Sequence, residues 1–311
     1  MNLLEEYFEN CRIFGSPDEG YFSWYNIDAP PVSGGLRFPD PRYRSSRMFR
    51  ERAAGIAIGE MFPPEDVADS LSTPLCEGGD LDPQRLLLAY SYGIFPWFSF
   101  EDKTPLWWAP LSRFVLFPDE IHISHSMRTL LNKKKYRVSV NEAFPEVIEA
   151  CRTVNGRYDS PLGPWLGEDI IKAYTELWRQ GYVKSVEVWD IETGKLSGGL
   201  YGVWLNGCFM GESMFSYVSS GSKIAMIALC GWMKEQGGKV IDLQIETEHL
   251  KSMGGRPIPY MEYLRMLNPE AAEGKSDTLP DLLDAPSEEL EKHPLLDIST
   301  PLQSAGHPDS T

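Results

Sequence analysis

Asn206-Gly207 separates two runs rich in strand-forming residues, 196–205 and 208–215. Asn-Gly readily supplies the two positive φ angles of a tight hairpin turn, so it is a strong local signal for an antiparallel strand pair. A third run, 183–191, precedes them across Glu-Thr-Gly at 192–194. Three consecutive strands joined by tight turns form a meander. A doubly wound sheet would instead need a helix between successive strands.

Around the meander the pattern alternates between the two periods. Asp82-Pro83 before Gln-Arg-Leu-Leu-Leu-Ala-Tyr, closed by Gly93, predicts a helix with an N-cap, proline at its first position and a C-terminal glycine. Residues 94–110 are dense in aromatics, with Phe95, Trp97, Phe98, Phe100, Trp107 and Trp108. Strands are predicted at 113–117, 136–140 and 239–246, and helices at 124–131, 142–151, 168–180, 222–236 and 259–267. The expected class is α+β. The expected organisation is a partly irregular extension at 1–55, a small domain at 56–110, a larger domain at 111–268 and a disordered tail at 269–311.

The net charge of −16 argues at first against a nucleic-acid partner, which needs a cationic footprint. Residues 269–311, however, hold ten acids against two lysines, a net of −8. Half of the excess thus lies in a Pro-rich tail too polar to offset its ordering entropy. The five cysteines are scattered and never spaced as CxxC, which predicts a reducing cytoplasmic setting without a disulfide framework or zinc site. No run of about 18 apolar residues predicts a membrane span. The N-terminus lacks the layout of a signal peptide.

Glu212, Asp242 and Gln244 interrupt otherwise apolar strands. A buried carboxylate costs several kcal/mol unless it is paired or hydrogen-bonded, so such intrusions point to a site. Regular alternation puts Ile241, Leu243 and Ile245 on one face, and Asp242 with Gln244 on the other, about 7 Å apart. It also puts Glu212 on one parity with Met210 and Met214, with Gly211, Ser213 and Phe215 on the other. Both sets read equally well as polar positions facing water. Trp97, Trp107, Trp108 and Trp165 read as core, or as platforms that stack a base. Lys133, Lys134 and Lys135, with Arg128 and Arg137 nearby, read as a solvated face or as a phosphate-binding patch. Arg37, Arg42, Arg44, Arg47, Arg50 and Arg52 form a second basic run. His122 and His125 have no carboxylate or cysteine partners at ligand spacing, so no metal is expected.

Several collinear blocks sharpen this reading. They are Gly-Gly-Asp-Leu at 78–81, Leu-Leu-Leu-Ala-Tyr at 86–90, Gly-Ile-Phe-Pro-Trp-Phe at 93–98, Trp-Trp-Ala-Pro at 107–110 and His-Ile-Ser at 122–124. Ser-Val-Glu-Val-Trp at 185–189, Gly-Gly-Leu-Tyr-Gly-Val at 198–203, Gly-Glu-Ser-Met-Phe-Ser at 211–216, Ser-Lys at 222–223 and Gly-Gly-Lys-Val-Ile-Asp-Leu-Gln at 237–244 follow. Together they span about residues 75–267, and the chain resembles the leucyl/phenylalanyl-tRNA–protein transferases. The resemblance implies a small N-terminal domain and a domain like the Gcn5-related N-acetyltransferases, with a mostly antiparallel sheet and flanking helices. It implies transfer of leucine or phenylalanine from aminoacyl-tRNA to protein N-termini bearing Arg or Lys, marking them for degradation, by a monomer without cofactor. Glu212 would contact the substrate amino group, and Asp242 and Gln244 would assist removal of a proton from the attacking amine. Trp97 and Trp165 would hold the terminal adenosine. Leu200, Phe209, Met226, Leu229, Met233 and Ile241 would line the amino-acid pocket, and the basic run Arg128, Lys133, Lys134, Lys135 and Arg137 would meet the tRNA.

Three alternatives accompany this expectation. An arginyl-tRNA donor would call for an acidic residue in the pocket, and the six pocket positions are apolar. A CoA-dependent acetyltransferase would call for a phosphate-binding loop, and no such pattern is visible. A silent tRNA- or degron-binding protein would have little need of Glu212, Asp242 and Gln244.

Overall fold

The computed structural model describes residues 11–12, 76–78, 80–98, 105–110, 112–154, 166–244 and 246–272. The arginine run between 37 and 52, Trp165 and most of the acidic tail lie outside these residues. A small antiparallel sheet pairs β1 (Cys11–Arg12), β2 (Cys76–Gly78), β3 (Phe95–Phe98) and β4 (Pro105–Trp108) in the order β1-β2-β4-β3. Helix α1 (Pro83–Ser91) leads into β3, and Asp82 caps it by accepting the Gln84 N–H at 2.9 Å. Gly93 then turns the chain at φ +66°.

The main sheet has seven strands. They are β5 (Ser112–Leu116), β6 (Tyr136–Val140), β7 (Val183–Asp190), β8 (Leu196–Leu205), β9 (Cys208–Ser216), β10 (Val240–Gln244) and β11 (Arg256–Pro259). Their order is β11-β5-β10-β9-β8-β7-β6, and every neighbouring pair is antiparallel except β9 with β10. The meander β7-β8-β9 forms as its turns predict, with Asn206 at φ +52° and Gly207 at φ +78°.

Helices α3 (Phe144–Thr153) and α4 (Glu168–Arg179) bury apolar stripes in one core, which also takes Leu86, Leu87 and Leu88 of α1. The core therefore runs without a break from the N-terminal segment into the main sheet. Helices α2 (His125–Asn132) and α5 (Gly221–Glu235) contribute to a second core with Val186, Leu200, Phe209 and Ile241. The fold closes with α6 (Glu248–Lys251), β11, α7 (Tyr260–Leu267) and α8 (Pro269–Ala272). The short α8 lies where the sequence predicts the disordered tail to begin.

Two irregularities correct the predicted alternation. In the β8–β9 ladder Gly202 faces Gly211 and Tyr201 faces Ser213, so Glu212 is an extra residue on β9. Such a bulge bends the strand and re-aims its side chains. Parity inverts across it: Met210 lies in the first core and Met214 packs on the second. The expected single face carrying Met210, Glu212 and Met214 therefore does not exist. Similarly, Asp242 pairs with Val115 and Gln244 with Phe114, leaving Leu243 extra on β10. The strand predicted to reach 246 stops at Gln244, which has φ +62°.

Candidate active site

The two bulges lie on adjacent strands, and their polar side chains meet. Glu212 Oε1 accepts from Tyr90 Oη at 2.6 Å and from Gln244 Nε2 at 3.1 Å. Its Oε2 accepts from Tyr174 Oη at 3.0 Å, and the two tyrosine hydroxyls also lie within hydrogen-bond reach of each other, a third contact that is filled only when Glu212 carries its own proton. Burial raises the Glu212 carboxyl to about 7, aided by the charge of Asp242 and opposed by the bonds from Tyr90, Tyr174 and Gln244. Burial and the neighbouring Glu212 push both tyrosines well above their ordinary value, so each remains a donor. The result is a carboxylate poised near neutrality and held by three donors from α1, α4 and β10.

Asp242 is fully buried and forms an ion pair with Arg113 of β5. Its Oδ1 accepts the Gln244 N–H at 3.0 Å. Arg113 also donates to the Gly93 carbonyl at 2.7 Å, and its guanidinium lies 4.7 Å from the Tyr263 ring centre and 5.2 Å from that of Phe95. Gln244 is 8% exposed. The reading of Asp242 and Gln244 as a water-facing pair is thereby excluded.

Comparison with known proteins places these residues in a family. The model of the leucyl/phenylalanyl-tRNA protein transferase matches residues 115–268, and that of the N-terminal domain of the same transferase matches residues 79–111. A leucyl/phenylalanyl-tRNA–protein transferase of Flavobacterium johnsoniae is 49% identical over 206 residues, which cover 66% of this chain and 94% of that one. The chain belongs to the leucyl/phenylalanyl-tRNA–protein transferase family. The transferase of Syntrophus aciditrophicus is 50% identical over 64% of this chain and 81% of its own. That of Klebsiella pneumoniae is 43% identical over 67% and 86%. Among solved structures, L-PGS from Bacillus licheniformis aligns over 54% of this chain and 55% of its own at 13% identity. Its TM-score of 0.30 is too low to support an argument about fold.

Within the transferase frame, Leu200, Phe209, Met226, Leu229, Met233 and Ile241 are all at most 3% exposed and share the second core. Glu212 meets Tyr90 and Tyr174, whose rings belong to the first core. Trp97 is half-buried, edge-on to Trp108 with ring centres 5.7 Å apart. Its predicted partner Trp165 is outside the described residues. Arg128, Lys133, Lys134 and Lys135 are exposed at α2 and the turn after it. Arg137 is committed elsewhere: it pairs with Glu142 at 2.6 Å and lies 4.7 Å from the Trp189 ring centre. No group of three metal-ligating side chains occurs among the described residues.

Sequence reasoning missed Tyr90, Tyr174 and Arg113. Tyr174 falls in the helix predicted at 168–180, among the apolar residues Ile170, Ile171, Leu177 and Trp178, and the usable signal is that a buried tyrosine hydroxyl needs a partner. It also passed over Glu187, which is fully buried. Its oxygens accept from Ser139 Oγ at 2.7 Å, Ser185 Oγ at 2.6 Å and the Ala143 N–H at 3.2 Å. That fully engaged carboxylate ties β6 and β7 to the start of α3.

Proposed function

We propose that the protein transfers leucine or phenylalanine from aminoacyl-tRNA to the N-terminal amine of an acceptor protein. What carries this reading is the cluster of Glu212 with Tyr90, Tyr174 and Gln244, inside the segments matched by the family models. An aminoacyl ester is already activated, so the reaction needs no covalent enzyme intermediate. Holding amine and ester together, with hydrogen bonds to developing charge, supplies much of the acceleration. Glu212 offers a charge-assisted bond to a substrate ammonium group. Gln244, beside it, offers an amide to the reacting centre. Leu200, Phe209, Met226, Leu229, Met233 and Ile241 are the apolar side chains assigned to leucine or phenylalanine on this reading; all six are packed in the second core, so the substrate side chain has to displace part of that packing. The half-buried Trp97 supplies a face for the terminal adenosine.

On this reading residues 111–268 form an acetyltransferase-like transfer domain behind a small N-terminal domain at 56–110. The support is the sheet itself, in which β9 and β10 are the lone parallel neighbours among the described strands and their ladder ends at Asp242 and Met210. A tRNA donor places the reaction in the cytoplasm. Acceptors starting with Arg or Lys, and their degradation, complete the reading.

The test is transfer of label from leucyl-, phenylalanyl- and arginyl-tRNA to peptides starting with Arg or Asp. Leucine and phenylalanine are expected on the Arg peptide. Incorporation from arginyl-tRNA alone overturns the donor, and none from any donor indicates a silent binder. Replacing Lys133, Lys134 and Lys135 together by alanine is expected to weaken tRNA binding. If each lysine neutralises one phosphate, the slope of log K against log salt should fall by about 2 to 3. Unchanged affinity and slope in a filter-binding titration would leave these lysines as a solvated face.

A further inference from the structure

We propose that Asp242 and Arg113 are positioning residues, whose ion pair sets the backbone of Gln244 and takes no proton from the substrate. The proposal rests on the aminoacyl-transfer reading and divides labour within that site. Asp242 is 0% exposed and Arg113 is 1% exposed. Each carboxylate oxygen already has a donor: Arg113 Nη2 on Oδ2, and the Gln244 N–H on Oδ1 at 3.0 Å. Accepting an amine proton would discharge Asp242 and strand a buried guanidinium, a costly state.

The same contacts give the pair another task. Gln244 has φ +62°, a region that residues with a Cβ disfavour and that needs outside support. Asp242 Oδ1 supplies that support through the Gln244 N–H. The Gln244 side chain then reaches Glu212 Oε1 at 3.1 Å. Arg113 extends the chain of contacts in the other direction. It holds the Gly93 carbonyl at 2.7 Å, two residues before the strand that carries Trp97. One guanidinium thus locks the start of β3 to the end of β10. The groups facing Glu212 itself are Tyr90, Tyr174, Gln244 and the charge of Asp242.

The test compares the full-length wild type, Asp242→Asn, Arg113→Met and the double variant in the peptide-transfer assay, with folding checked by thermal unfolding. Asparagine keeps an oxygen for the Gln244 N–H but sets an amide against Arg113. Asp242→Asn is therefore expected to lose about 100-fold in kcat/KM, and the double variant to recover about tenfold of it. Because Glu212 loses its proton at about 7 in the folded chain, activity is expected to rise with pH in wild type, and the double variant is expected to retain that rise, moved to lower pH by the loss of the Asp242 charge. A double variant no more active than Asp242→Asn, or one lacking that rise, overturns the proposal. Should Asp242→Asn not fold, the double variant is compared directly with wild type. Loss of the rise of activity with pH in the double variant then identifies Asp242 as the proton acceptor, and its retention supports positioning. Failure of the transfer reading appears separately, as a wild type that transfers neither leucine nor phenylalanine.

Discussion

Glu212→Gln is expected to lower kcat/KM by about 10- to 100-fold and to raise stability above pH 7. The first effect follows from losing a charge-assisted hydrogen bond to the substrate amine, worth about 1.5–3 kcal/mol. The second follows from the carboxyl titrating at about 7 when folded, against an ordinary 4.5. Below the ordinary value both states hold the proton and nothing changes. Between 4.5 and 7 the unfolded chain releases its proton while the folded chain keeps it, so stability falls as pH rises. Above 7 the loss is complete, at about 2–3 kcal/mol after allowance for partial exposure. Glutamine removes that loss and still fits the site. Its oxygen accepts from Tyr90 and Gln244, its amide donates to Tyr174, and the Tyr174 hydroxyl turns to donate to Tyr90. In wild type, kcat/KM for the donor should rise with pH through about 7, and the variant should lose that rise. The measurements are pH profiles of transfer and of Tm. A variant with full activity would remove Glu212 from the reaction.

Gly202→Ala should be among the most destabilising single changes in the main sheet. A Cβ there would sit 2.2 Å from the Met210 carbonyl oxygen and 2.6 Å from the Phe209 ring. Both obstacles are rigid, one being backbone and the other a ring in the second core. Gly202 also faces Gly211 beside the bulge that presents Glu212, so relief of the clash would move the site. Overpacking of this kind costs about 3 kcal/mol or more. At about 2–4 °C per kcal/mol, Tm should fall by roughly 6–12 °C or more. An unchanged Tm would mean that the β8–β9 ladder can spread without cost.

The strands and helices that were legible carry local signals. β6 and β8 occupy the predicted 136–140 and 196–205, because β-branched runs and turn residues mark them on the chain. Two of the strands that were not predicted, β3 and β11, read Phe-Pro-Trp-Phe and Arg-Pro-Ile-Pro, and proline argues against a central strand. Both lie at sheet edges, where a missing N–H is tolerated. Glu212, Asp242 and Gln244 could be singled out because a carboxylate or amide in an apolar strand is visible in one dimension. Their partners could not. Tyr90 and Tyr174 are 84 residues apart, and Arg113 and Asp242 are 129 apart. Nothing local distinguishes a tyrosine whose hydroxyl meets a carboxylate from one that only fills a core.

The sequence by itself determined the meander, the α+β class, the capped helix before Gly93 and the three polar intrusions. Turn chemistry, hydrophobic period and the cost of burying charge all act over a few residues. Only the tertiary structure decided which way those intrusions point. A bulge is a mismatch between two paired strands, so the inversion of parity at Glu212 exists only once β8 and β9 are in register. The same holds for Glu212's titration near neutrality: burial and the Asp242 charge raise it, and the Tyr90 and Tyr174 hydroxyls and the Gln244 amide oppose the rise, groups that only the fold brings together from α1, α4 and β10.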